Sequence, residues 1–470
     1  MAQPFPENRY LTGNYAPLRM EGEAPDLLIT GEMPRELNGT LFRNGPNPQF
    51  APRNDKYHWF LGDGMIHAIT FDDGKVHWRN RWVRTEKFEA ERKAGETLMA
   101  SSFNDMTPDP RAAGIPLNVA NTAIVHHGGK LLALEEGSPP VHLDATTLAT
   151  HGPWTFDGKY GGAMTAHPRV DPKTGEMVFF AYFGGMPGEP KVALNWVAKD
   201  GTLTRSEILD VPYCSMIHDF LITENYIILP IFPATVDLER IIAGGPFVAW
   251  DEKQTSHVGL IPRNGDIKDT KWFEAPPAYV FHPLNGYETA DGKVVADMVQ
   301  YDRAPLFNTA GGTNDALEDN SSKLIRWELD PAANTSDFKQ TQLDDFTGEF
   351  PRHDERYTGH ENRYGYFCIK EDMTQNKGPF NMILARDMLN HTAQKWNAGE
   401  GVYVQEPIFV PRNNAVAEGD GFLVAPTYNV GSNTSDIVVL DAMNVSAGPV
   451  ATAHLPTRIP YGFHGTWKDA

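Results

Sequence analysis

Short apolar runs separated by turn residues recur along the whole chain. Met65–Phe71 is followed by Asp-Asp-Gly-Lys, Lys130–Leu134 by Glu-Glu-Gly, and Met177–Phe183 by Gly-Gly. Further runs are Tyr226–Phe232, Lys293–Val299, Tyr364–Ile369, Gly421–Ala425 and Ile437–Leu440. Each is about strand length, rich in Val, Ile, Tyr and Phe, and bounded by Gly, Asp, Asn or Pro, so each is predicted to be a β-strand. The DGK, TGE and KDG sequences between several of them supply the residues tolerant of positive φ that tight hairpins need. Helical periodicity is confined to short stretches at Thr85–Gly95 and Asp237–Ala243. No low-complexity linker divides the chain, so residues 1–470 are expected to form a single all-β domain. At this length a closed radial array such as a β-propeller copes best with exposed strand edges. No WD or kelch signature repeats at a fixed period, so the sequence pattern does not count the blades.

Composition narrows the function. The 470 residues are 41% hydrophobic, enough to bury a large core. A formal charge of −20 repels nucleic acid and anionic membrane surfaces, which excludes a nucleic-acid-binding protein. The two cysteines, Cys214 and Cys368, lie in apolar or aromatic runs with no CxxC spacing, as expected of buried thiols in a reducing compartment. The sequence MAQPFPENRY has no basic segment leading into an apolar one, and no run approaches the roughly 18 apolar residues of a membrane span. These features lead us to expect a soluble, cytoplasmic protein.

The candidate chemistry lies among 16 histidines. His126 and His127 sit in a turn-like HHGGK, and His58, His77, His142, His151 and His454 are flanked by polar or turn residues. A lone histidine of that kind is usually a surface or hydrogen-bonded residue. Four others stand beside apolar or aromatic residues at predicted strand edges: His167 in TAHPRVDP, His218 in SMIHDFLI, His282 in VFHPLNGYE and His464 in PYGFHGTW. Their separations are too wide and irregular for a helical HExxH or a zinc finger. Ligands spread so far would converge only in a fold that brings distant strands to one axis. Spacing alone does not show that they do.

Longer motifs add a resemblance. LNGTLFRNGPNPQF, YHWFLGDGMIHAITFDDGKV, ANTAIVHHGGKLLALEEGSPP, the WFEAP segment before His282, EFPR, QEPIFVPR and GFHGTW occur in order along nearly the whole chain. Together with the four histidine contexts they make the sequence resemble the carotenoid cleavage oxygenase family. The resemblance implies a seven-bladed β-propeller with a small helical and loop cap over an axial Fe(II). His167, His218, His282 and His464 would bind the iron, which suits neutral imidazoles without thiolate. Glu136, Glu349 and Glu406 would accept the outer ring N–H groups. Thr122, in the ANT motif, would crowd one open coordination position with its methyl. The implied reaction splits a C=C bond of a small hydrophobic alkene with O2, giving two carbonyl products. No strand–GxGxxG–helix unit suggests a nicotinamide or flavin.

Within that family, one branch cleaves polyenes and another cleaves stilbenes and phenylpropenes, holding the phenol with a Tyr and a Lys against a Phe. Phe60 matches the Phe, whereas Ser102 stands at the Tyr position and Glu135 at the Lys position. A carboxylate does not stabilise a phenolate, so the residues favour an apolar polyene, an apocarotenoid or carotenoid, with the phenolic alkenes as the alternative. Transient membrane contact would help such an enzyme collect a lipophilic substrate. The sequence does not give the oligomeric state.

Overall fold

The computed structural model describes residues 3–102, 107–182, 184–185, 188–310, 321–370 and 379–470. Among these, strands form seven sheets of four to six strands, the blades of a seven-bladed β-propeller, and one two-stranded ribbon of Ala234–Val236 and Val248–Trp250. Every apolar run singled out above lies in or overlaps a strand. Met65–Phe71 falls inside Gly64–Asp72, Lys130–Leu134 and Tyr364–Ile369 are strands with those ends, and Met177–Tyr182 forms a third. Phe183 lies outside the described residues. The Asp-Asp-Gly-Lys turn behaves as its residues require: Asp73 and Gly74 both take positive φ, 44° and 80°, and Asp72 pairs with Lys75.

The two predicted helices also form. Glu86–Ala94 starts at Thr85, whose hydroxyl accepts the Phe88 N–H, and ends at Gly95 in the left-handed region. Leu238–Ile242 is capped by Asp237, whose carboxylate accepts the Arg240 N–H. Among the described residues no helix is long and apolar enough to cross a membrane.

Burial follows blade position rather than simple alternation. Met177–Tyr182 and Lys191–Val197 are buried along nearly their whole length, while the edge strand Leu203–Asp210 alternates buried and exposed. Inner strands covered on both faces read as continuous apolar runs, and a strand with one wet face alternates.

The chain divides into two compact units. The first comprises Met1–Ala166, Asp200–Thr202 and Ala398–Ala470, and the second His167–Lys199 and Leu203–Asn397. In the first, both chain ends are stitched into sheets built by distant sequence. Leu28–Gly31 pairs with Pro449–His454, and Gly465–Asp469 pairs with the strand Gly39–Pro46. A core of Leu41, Ile69, Phe71, Val424, Ile437 and Val439 packs two of these sheets together. In the second unit, Phe180, Leu194 and Trp196 meet Phe220, Ile227 and Leu229 across a similar inter-sheet core.

Candidate metal centre

Each of the four singled-out histidines lies on, or just before, the strand at one edge of a different sheet. His167 precedes Arg169–Val170 by two residues, His218 precedes Leu221–Ile222 by three, His464 directly precedes Gly465–Asp469, and His282 lies within Tyr279–Glu288. The His282 strand is irregular at that point. Its pairing register shifts between Val280 and Pro283 and again between Pro283 and Asn285, and such bulges re-aim a side chain. One ring nitrogen from each of His167, His218, His282 and His464 lies within 4.8 Å of the other three. Among the described residues no other group of three or more His, Cys, Asp or Glu side chains converges in this way.

The outer faces of the rings decide which nitrogen points inward. Nδ1 of His282 lies 2.6 Å from Glu349 Oε2, and Nδ1 of His464 lies 2.8 Å from Glu406 Oε1. A carboxylate there holds the proton on Nδ1 and leaves Nε2 as a lone-pair donor. Nε2 of His218 is 3.0 Å from Nε2 of His167 and 3.0 Å from Nε2 of His282. Three inward nitrogens at such spacing have too few protons to satisfy one another, and a cation at their centre answers the mismatch. Nitrogen-only donors with no thiolate fit Fe(II).

Each glutamate partner is anchored in turn. The Glu349 carboxylate also accepts the Tyr301 hydroxyl at 2.8 Å and the Phe350 N–H at 2.9 Å. Phe350 takes φ of 54°, unusual for a non-glycine residue, and its ring stacks on His282 at 5.4 Å. Glu406 Oε2 accepts the Gly465 N–H at 2.8 Å, with the buried Arg43 guanidinium 4.0 Å away. Glu136 is half-buried, two residues beyond the strand Lys130–Leu134.

His464 is also fixed through its backbone. Asn44 N–H donates to the His464 carbonyl, Phe463 N–H donates to the Asn44 carbonyl, and His464 N–H donates to the Thr122 carbonyl, at 3.0, 3.0 and 3.1 Å. The Asn44 amide reaches the Ala120 and Ala123 carbonyls, which flank Thr122. Gly45 makes this possible, since a Cβ there would lie 2.6 Å from the Gly462 Cα. The Thr122 hydroxyl donates to Asn121 Oδ1 at 3.0 Å. Asn121 in turn donates to the Phe60 and Gly62 carbonyls, tying the Phe60 loop to the Thr122 segment.

The residues expected to meet substrate divide. The Phe60 ring packs edge-on against Phe463 at 5.3 Å, one residue before His464. Ser102 is buried, and its neighbour Ser101 accepts the His58 N–H through its carbonyl, so this segment runs beside the Phe60 loop. The Glu135 carboxylate turns back on its own loop and accepts the Gly137 N–H at 2.8 Å. Burial pushes its pKa up to about 7, with the charge of Glu136 contributing.

Two histidines outside the cluster make ordinary hydrogen bonds. His58 accepts the Phe60 N–H, and burial lowers its pKa to about 4; His454 pairs with Asp436 at 2.8 Å. Sequence reading missed Arg43, Asn44, Arg169, Asp219, Tyr301 and Phe350. The signal available for Arg169 and Asp219 was a charged residue within two positions of one of the singled-out histidines.

Residues 15–469 match the model of the retinal pigment epithelial membrane protein family. An isoeugenol monooxygenase of Pseudomonas nitroreducens is 37% identical, with 97% of each chain covered. A lignostilbene-α,β-dioxygenase isozyme III of Sphingomonas paucimobilis is 36% identical over 99% of this chain and 98% of its own. Among solved structures, the lignostilbene dioxygenase of Pseudomonas brassicacearum superposes with a TM-score of 0.95 at 33% identity, both chains fully covered. A Synechocystis apocarotenoid oxygenase gives 0.87 at 30% identity, over 97% of this chain and 98% of its own.

Proposed function

Because the chain belongs to the retinal pigment epithelial membrane protein family, the carotenoid cleavage oxygenases that its motifs resemble, we propose that it is an Fe(II)-dependent oxygenase that splits the C=C bond of a stilbene or phenylpropene. The observation that carries the enzymatic reading is the convergence of four imidazole nitrogens, two of them with carboxylates behind the ring. His167, His218, His282 and His464 would hold the metal. Fe(II) supplies the means to bring O2 and an electron-rich alkene together, and one alkene plus one O2 balances as two carbonyl products. Glu349 and Glu406 keep the Nδ1 protons in place, so that Nε2 remains available as the donor. The Phe60 and Phe463 rings, in edge-on contact beside His464, would supply apolar contact to an aryl ring.

The substrate class shifts from the polyene favoured by Ser102 and Glu135. The relatives named for isoeugenol and lignostilbene, and the structure with the TM-score of 0.95, support the aryl alkene better. The Glu135 position offers no ammonium for a phenolate. Its carboxyl, held in its own turn, is compatible with an aryl alkene that stays neutral.

The test has two parts. Iron analysis of the purified protein is expected to give about one Fe per chain, lost in His218→Ala; an iron-free, folded wild type sinks the proposal. Incubation with isoeugenol, a hydroxystilbene and an apocarotenal under 18O2 then compares the products by mass spectrometry. Aromatic aldehydes should dominate. Cleavage of the apocarotenal tenfold faster than either aryl alkene returns the substrate to the polyenes.

A further inference from the structure

Asp219 directly follows His218, Arg169 lies two residues after His167, and the two side chains meet. Arg169 Nη2 lies 2.7 Å from both Asp219 oxygens, and its Nε donates to the Phe220 carbonyl at 2.9 Å. The Phe220 N–H donates back to Asp219 Oδ1 at 2.7 Å, completing a closed loop of bonds. The carboxylate is only 4% exposed. Its second oxygen, Oδ2, lies 3.6 Å from Nδ1 of His167, while Nε2 of the same ring faces His218.

We propose that the Asp219–Arg169 pair is a positioning device for His167, holding its proton on Nδ1 and its Nε2 toward the metal site. The inference rests on the iron-site reading above. It gives His167 the arrangement that Glu349 gives His282 and Glu406 gives His464, with an aspartate from the neighbouring ligand segment. Two differences set its strength. At 3.6 Å the contact is longer than a hydrogen bond, so it acts by charge until the ring shifts toward it. The Arg169 guanidinium also shares the carboxylate, making it a weaker proton acceptor than a glutamate bonded to neutral donors. The effect therefore belongs at the low end of the 10–100-fold range typical for outer partners of metal ligands.

The competing account is a purely structural ion pair that joins the two segments and is indifferent to the His167 tautomer. The wild type, Asp219→Asn and Asp219→Glu would be compared by Fe(II) affinity against a chelator, by melting temperature, and by 15N-histidine NMR of the zinc-loaded protein. The expected result is an Nδ1–H on His167 in the wild type, a roughly tenfold loss of Fe(II) affinity in Asp219→Asn, and recovery of most of it in Asp219→Glu. A lower melting temperature with unchanged affinity overturns the proposal. If Asp219→Asn fails to fold, the wild-type spectrum decides, and a His167 proton on Nε2 overturns it. A wild type that binds no Fe(II) at all fails one step earlier and removes the iron-site reading itself.

Discussion

In the His282 arm of the cluster, Glu349 receives Nδ1 at 2.6 Å and is steadied by a tyrosine hydroxyl and a backbone N–H, all uncharged donors. In the His464 arm, Glu406 receives Nδ1 at 2.8 Å and is steadied by a backbone N–H, with the Arg43 guanidinium 4.0 Å behind it. Arg43 spends its direct bonds elsewhere, on Gln405 Oε1 at 2.7 and 3.1 Å and on the Phe463 carbonyl at 2.8 Å. The task at the imidazole is the same in both arms. The burial problem differs: among the described residues, the Tyr301 and Phe350 donors to Glu349 behind the ring are uncharged dipoles, and Glu406 shares its site with a buried cation whose charge it also offsets. Holding a ligand and holding the fold are thus separable in the first arm and coupled in the second.

The largest effect that can break this contrast comes from removing each carboxylate's charge. Glu406→Gln removes the carboxylate beside the buried guanidinium, and breaking such a pair typically costs about 3–5 kcal/mol. Glu349→Gln strands no cation and should cost only about 1–2 kcal/mol, the scale of disturbed buried hydrogen bonds. Urea denaturation of the metal-free proteins measures the difference. Fe(II) affinity should meanwhile fall by about 10–100-fold in both. Equal stability losses would mean that Arg43 plays no separate part.

A third carboxylate extends the contrast to a group whose environment favours the acid form. Glu135 is pushed up to about 7 by burial, with the adjacent Glu136 contributing, from an ordinary value of 4.5. A folded-state pKa raised in this way leaves stability whole below about pH 4.5 and erodes it as pH climbs through about 7. Glu135→Gln should remove that erosion, leaving stability near pH 4 unchanged and raising it by about 3 kcal/mol at pH 8, where the wild-type carboxyl is ionised. Melting curves at the two pH values check this, and an equal shift at both would show that ionisation is not the cause.

The strands and the four converging histidines were legible in the sequence for different reasons. Strand positions followed from local rules: apolar runs bounded by turn residues, with Asp73-Gly74 adopting the positive φ values that its composition permits. The four histidines were not fixed by local rules alone: their apolar strand-edge contexts set them apart, but only the longer motifs joined them into one candidate site. Glu349 and Glu406 came with those motifs. Tyr301 and Arg43 did not, because each acts on a glutamate far away in sequence, and nothing in the residues around it marks the pairing. Glu135 shows a further limit. Its identity argued against a phenolate partner, but only the structure shows that carboxylate accepting the N–H of its own turn.

The smallest change sharpens the contrast most directly, because it alters the dipoles around Glu349 and leaves its charge in place. Tyr301→Phe keeps the ring and its packing and deletes the hydroxyl that donates to Glu349 Oε1 at 2.8 Å. One lost buried hydrogen bond is worth about 1 kcal/mol, with no cation stranded and no carboxylate removed. If the uncharged donors serve to fix the carboxylate under His282, the loss should also reach the metal. Fe(II) affinity should fall by a few-fold, less than in Glu349→Gln, which also removes the charge. Arg43→Met is the matching cut in the other arm, and there the order should reverse, with the stability loss outweighing the loss of affinity, because the glutamate keeps its Gly465 N–H bond but loses the nearby cation. A Tyr301→Phe protein that loses stability but binds Fe(II) as the wild type does would show that Phe350 and the strand backbone suffice to hold Glu349, and that the hydroxyl belongs to the fold alone.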